Sequence, residues 1–203
     1  MPETAFDFSV EEVKNFLLAS VVVAAALIAL DRIYEPVHIL KYVLLAPLLL
    51  GLREFGQRIT AEQMNAYVET HFSRQGSIFS LATAVFAILI DLPLIILLPI
   101  YNEFDNTEYE SWGYQIDVVW SKREYWLASV GIVFVMFSWP VFMLLGWNDM
   151  ATAVGLFTGF QLIPLKESAL MEGSSDGAYI LLYSGFIWTA LFGLSILMAA
   201  FPL

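Results

Sequence analysis

Six apolar blocks divided by short polar stretches constrain this chain more than any other feature: residues 16–30, 37–52, 77–101, 126–147, 150–165 and 178–203. A helix that spans the hydrocarbon core of a bilayer needs about 20 such residues, and a water-soluble fold has no use for so many apolar runs in succession. The first block, "FLLASVVVAAALIAL", is flanked by Lys14 and Arg32, whose long stems can snorkel toward a membrane surface. At 1.5 Å per residue it extends about 23 Å, enough to cross with little tilt. Glu35-Pro36 breaks the chain and restarts it, and His38 and Lys41 lie at the start of the second block. The third block contains Asp91, Pro93 and Pro99, so it reads either as one kinked span or as a span followed by a re-entrant piece. Trp139-Pro140 marks a kink in the fourth. The expected fold class is an all-α polytopic membrane protein with five to six transmembrane helices, with or without one re-entrant segment, in a single domain over 1–203 without internal repeats.

The surplus of apolar residues agrees: 59% of the 203 residues are hydrophobic, against about 45–50% in soluble domains. Twenty acidic residues against nine basic ones give a formal charge of −11, which argues against nucleic acid as a partner, since that affinity rests on Lys and Arg. So acidic a surface suits a high-salt cytoplasm, where screening tolerates self-repulsion. The absence of cysteine excludes disulfides, thiolate nucleophiles and Cys-ligated metal. The N-terminal segment 1–14 is acidic, unlike a signal peptide, so the first block reads as a retained anchor. Residues 53–75 read as a helix at the interface, and 102–124 as an extracytoplasmic loop rich in Trp and Tyr, with "YQIDVVW" as a short strand. Arg53, Arg58 and Arg74 place 53–75 in the cytoplasm by the positive-inside rule, and six spans then leave both termini there.

An ionisable group inside an apolar block is a functional candidate by default. Asp91 is the clearest, accepting from backbone amides freed by Pro93, protonated within the bundle, or paired with Arg53 or Lys41. His38 and His71 stand 33 residues apart with no carboxylate placed beside both, and read as ordinary interfacial histidines rather than a metal pair.

The second block ends in "LLLGLREFGQRITAEQM", which sets Arg53 and Gln57 at i and i+4 on one helix face with Glu54 beside them. In a zincin helix that spacing is His-Glu-x-x-His, two imidazoles on zinc and a glutamate that activates water. The stretch resembles the motif helix of the site-2 proteases, a family of intramembrane zinc metalloproteases. "FDFSVEEVKNFLLASVVVAAALIAL" is similar to the leading helix of the small archaeal members, and "LFTGFQLIPLKESALMEGSSDGAYILLYSGFIWTALFGL" to the third-ligand segment. The likeness covers most of the chain.

The resemblance implies a zinc site that this chain has lost. Arg53 and Gln57 stand where the two His belong, and a guanidinium has no lone pair for a cation. Glu54 keeps the general-base position. Gln161, ahead of Pro164, replaces an Asn, and Asp176-Gly177 falls about seven residues late by the family's spacing, after an insertion with Glu167 and Glu172. The Gly-Pro-x-x-Asn of the preceding helix is reduced to Ser129-Val130. No zinc or other cofactor is then expected. Without a cation, Asp176 and Glu54 need a positive partner, and Arg53 is the candidate through a two-pronged clasp. For Arg53 and Asp176 to meet, the third or fifth block must re-enter.

Four functions stay open on the sequence. The first is a catalytically inactive site-2-protease-like protein that binds, scaffolds or regulates membrane proteins, with the bilayer and other proteins' transmembrane helices as partners. The second is an active intramembrane metalloprotease. The third is a small transporter or channel subunit using Asp91 and Glu54. The fourth is an assembly subunit without a ligand.

Overall fold

A computed structural model describes residues 6, 8–31, 35–64, 66–90, 95–105, 116–166 and 172–201, apart from the side chains of 105 and 116–121. Asp91, Pro93 and Glu167 lie outside these. Helix α1 (Val10–Asp31) packs on α2 (Pro36–Gln63). Strand β1 (Tyr67–Phe72), helix α3 (Arg74–Ile90) and strand β2 (Ile100–Asp105) follow. Helices α4 (Ile116–Met136), α5 (Ser138–Leu144), α6 (Asn148–Gln161), α7 (Asp176–Tyr183) and α8 (Gly185–Ala200) complete the chain. The fold is mostly helical, and α2 lies centrally, packed on α1 at one side and α4 at the other, while α7 packs on α4 and α6 on α8.

Among the described residues, three stretches are long and apolar enough to cross a membrane: α1, α2 and Lys122–Leu144, which takes in most of α4 and α5. Helix α2 starts on Pro36, which has no amide to leave unpaired at that position. Its 28 residues extend about 42 Å, more than a hydrocarbon core of roughly 30 Å. This corrects the reading of 53–75 as a separate interfacial helix. Residues 53–63 continue α2 without a break, and 67–72 form a strand. The break between α4 and α5 falls just ahead of Pro140, as its missing amide requires.

Strands β1 and β2 pair antiparallel, Thr70 opposite Asn102 and Phe72 opposite Ile100. Residues hydrogen-bonded edge to edge cannot stand on opposite faces of a bilayer, so 100–105 shares the level of 67–72. The pairing does not accommodate 67–72 and 100–105 on opposite sides of a bilayer, whichever side they take. Between the strands the chain leaves along α3 and returns in extended form through 95–99. That return needs its backbone groups paired within the protein if it lies at membrane depth. Helix α3 supplies partners: Ser80 Oγ accepts from the Leu98 amide at 2.9 Å and Thr83 Oγ1 from that of Ile96 at 3.0 Å.

Further corrections concern local structure. Residues 116–120, expected as a strand, form the first turns of α4. The last block is two helices, broken at the extended Ser184, whose side chain caps α8 by accepting from Ile187. The fifth block is a helix of only 14 residues that ends at Gln161.

Candidate functional site

The last three turns of α2 carry Arg53, Glu54, Gln57 and Arg58, all at most 3% exposed. Four polar side chains on one helix are buried only where other elements bring partners. The register of the hairpin turns Thr70 and Asn102 inward at 3% and 1% exposure, while Glu69 faces outward. Helix α7 contributes Asp176 from its first turn, where the helix dipole favours a carboxylate. Ser175 anchors that turn by accepting from the Leu165 amide at 2.9 Å and donating to the Ile163 carbonyl at 2.6 Å.

Two glycines permit the approach. A Cβ on Gly177 would stand 2.1 Å from the Leu162 carbonyl oxygen, so α7 meets the end of α6 only through glycine. One on Gly131 would stand 2.6 Å from Cγ of Gln57, so α4 can cover that side chain closely.

Arg53 lies between the two acids. Its Nε donates to Asp176 Oδ2 at 2.7 Å and Nη2 to Oδ1 at 2.8 Å, while Nη1 donates to Glu54 Oε1 at 2.9 Å. Gln57 Nε2 donates to Asp176 Oδ1 at 3.2 Å. Asn102 Nδ2 donates to Glu54 Oε1 at 2.8 Å and also to Gln57 Oε1, and Thr70 Oγ1 donates to Glu54 Oε2 at 2.7 Å. On the far side Arg58 lies 3.9 Å from Glu54, bonds Glu12 of α1 and stacks over the Phe8 ring at 4.0 Å. Charges therefore alternate through the protein, Glu12–Arg58–Glu54–Arg53–Asp176, with every member at most 3% exposed. At the edge of this chain, burial and then the Glu12 carboxylate push the Tyr67 phenol up from its ordinary pKa.

The structure thus joins Arg53, Glu54, Gln57 and Asp176. Asp91 lies outside the described residues. Gln161 is buried, but no hydrogen bond among the described residues joins it to Arg53 or Asp176, and its Nε2 is unpaired. Glu172 accepts from the Arg74 amide at 3.0 Å instead. His38 lies 3.6 Å from Glu35, and His71 stacks on Tyr101 at 5.3 Å with Glu69 and Glu103 each at 3.7 Å. Sequence reasoning missed Asn102, Thr70, Arg58 and Glu12. Glu12 had a signal: Ser9 and Glu12 form a reciprocal capping box at 2.9 and 3.0 Å, readable as S-x-x-E.

The resemblance implies zinc, and the donors do not suit it. Both Asp176 oxygens already accept from Arg53, and both Glu54 oxygens accept from neighbouring donors. A dication there would displace, or stand against, a permanent guanidinium charge. Among the described residues no three His, Cys, Asp or Glu side chains converge as a ligand set. What the arrangement can do chemically is hold α2, α7 and the strand pair together through a buried polar network in which Asn102 Oδ1 alone of the Asn102, Thr70 and Glu54 side-chain oxygens has no partner among the described residues. Compared with family models, curated proteins and solved structures, the chain finds no match in any of them.

Proposed function

We propose that this chain is a multi-pass membrane protein of five or six crossings, related to the site-2 proteases but proteolytically silent, that binds the transmembrane helices of other membrane proteins to scaffold or regulate them. The observation that carries the reading is the position of the Arg53 guanidinium, held by Asp176 and Glu54. In the likeness drawn from the sequence, those acids and the Arg53 position are parts of a metal centre. An organic cation takes the place of the metal, and the acid that would activate water is engaged by three donors, Arg53, Asn102 and Thr70.

The return of residues 95–99 beside α3 supports the same reading, because a re-entrant segment is what allows Arg53 and Asp176 to share one level. The test is zinc content together with the fate of a bound helix. The purified chain is expected to carry far less than one zinc per molecule and, in liposomes, to bind a model transmembrane peptide without cutting it. Equimolar zinc, or cleavage abolished by Glu54→Gln, overturns the proposal.

A further inference from the structure

Beside the buried charges, and sharing Glu54 with the clasp, the N-terminal arm, α1 and α2 form a largely apolar pocket of about 330 Å³. Phe6, Phe8, Phe16 and Phe55 form its walls, with Val13 and Gly51. Phe8, Val13 and Phe55 are each about half exposed, so the pocket opens outward between them. From Val13 the exposed surface continues along one face of α1 through Leu17 and Val21, at i+4 and i+8, with 57% and 68% exposure. That helix is long and apolar enough to cross a membrane, so its exposed stripe faces hydrocarbon and the pocket is continuous with it.

Glu12, Glu54, Arg58 and Thr70 complete the lining, but they are engaged with one another and make little demand on a ligand. Arg58 bonds Glu12, and Glu54 accepts from Arg53, Asn102 and Thr70. The occupant is therefore apolar. Its outward opening onto the exposed stripe of α1 suits an occupant that the bilayer itself supplies. The pocket is also about twice the ~150 Å³ of an apolar cavity that accommodates benzene, more than one apolar side chain would fill. At the small end of the range for ligand sites, it matches one slender apolar ligand.

We propose that this pocket holds a single hydrocarbon chain of a membrane lipid, packed between Phe16 and Phe55. The bound chain keeps water from the Glu12–Arg58–Glu54 side of the network. The inference rests on α1 lying in a bilayer and not on the loss of zinc, so the two are separately testable.

The experiment reconstitutes the full chain in phosphatidylcholine vesicles doped with a phosphatidylcholine that carries a diazirine on its acyl chain, then irradiates and maps adducts by peptide mass spectrometry. Adducts on Val13, Phe16 or Phe55 are expected in several-fold excess over outward residues of α3 such as Ile78 and Leu89, which are 69% and 74% exposed. Gly51→Leu is expected to remove most of that excess. A Cβ there meets nothing closer than Phe16 at 3.9 Å, so the added side chain has room to start before it fills the pocket. Gly193→Leu adds the same bulk on α8 where nothing lies within 4 Å of the Cβ, and is expected to change nothing. Should Gly51→Leu fail to fold, the adduct ratio in the unaltered chain decides alone. Equal labelling of pocket and α3, labelling indifferent to Gly51→Leu in a folded variant, or displacement by a transmembrane peptide each overturns the proposal.

Discussion

Arg53 and Asp176, 123 residues apart in the chain, meet in a two-pronged ion pair in which each carboxylate oxygen takes one guanidinium N–H, at 2.7 and 2.8 Å. With 1% of either side chain exposed, both charges have been desolvated, and their mutual attraction chiefly offsets that cost. The pair therefore says more about arrangement than about net stability. It ties the exit of α2 to the start of α7 and leaves few alternative packings for either.

Removing one partner is a different matter from replacing both. Asp176→Ala leaves the guanidinium with Glu54 alone and is expected to cost about 3–5 kcal/mol, the usual penalty for orphaning a buried charge. Arg53→Met combined with Asp176→Leu is expected to cost clearly less than the two single changes summed. Unfolding in detergent through a double-mutant cycle measures this coupling. An Asp176→Ala protein within about 0.5 kcal/mol of the parent would show that the clasp does not form.

On the other side of the network, Glu12 has two main jobs, besides accepting from the Thr70 amide at 3.4 Å. It caps α1 with Ser9 and it faces Arg58. Ser9→Ala removes a capping contact and should cost about 1 kcal/mol. Glu12→Ala also removes the carboxylate that Arg58 Nη2 bonds, so about 1.5–3 kcal/mol beyond the cap is expected. Equal losses in the two variants, by thermal unfolding, would reduce Glu12 to a cap.

How much of this was legible beforehand differs from element to element. Most of helix α1 and the first part of α2 follow from their apolar blocks. The continuation through Arg53–Arg58 does not, because charged residues are seldom buried unless paired and their partners come from α1, the hairpin and α7. Strand β1 alternates in burial, Val68 and Thr70 in and Glu69 out, a period-two pattern readable within "YVETHF". Residues 116–120 carry strand-like Ile and Val yet begin α4, an override of propensity by tertiary context. Asp176 was legible only through the resemblance to a metalloprotease. Asn102 and Thr70 had no such signal, since strand register alone sets them opposite one another.

Metal removal provides an independent check on what fills the site. A structural or catalytic zinc contributes to folding, so chelation lowers the stability of proteins that hold one. Here the cation is covalently part of α2, and prolonged treatment with a strong chelator is expected to leave the melting temperature unchanged. A fall of several degrees, recovered by zinc alone, would mean that a metal holds the fold.

The returning segment 95–99 depends on two hydroxyls. Ser80 Oγ donates to the Gly76 carbonyl at 2.7 Å and accepts from the Leu98 amide, and Thr83 Oγ1 does the same between the Ser80 carbonyl and the Ile96 amide. Leu98 is 1% exposed, so its amide has no water to turn to once Ser80 is lost. An orphaned buried donor costs about 1–3 kcal/mol, and Ser80→Ala should fall in that range. Thr83→Val keeps the shape and removes the hydroxyl, both the acceptor for Ile96 and the donor to the Ser80 carbonyl, so it isolates the hydrogen bonds from packing. Ile96 is partly exposed, and its loss should lie at the low end. Because β2 follows directly after Pro99, loosening the return also loosens Asn102. Ser80→Ala is then expected to raise amide hydrogen exchange across both strands before the helices respond, while Thr83→Val does so more weakly. Exchange that rises in α3 alone would show that the hairpin is held by the clasp and not by the return, and the dependence argued here would not stand.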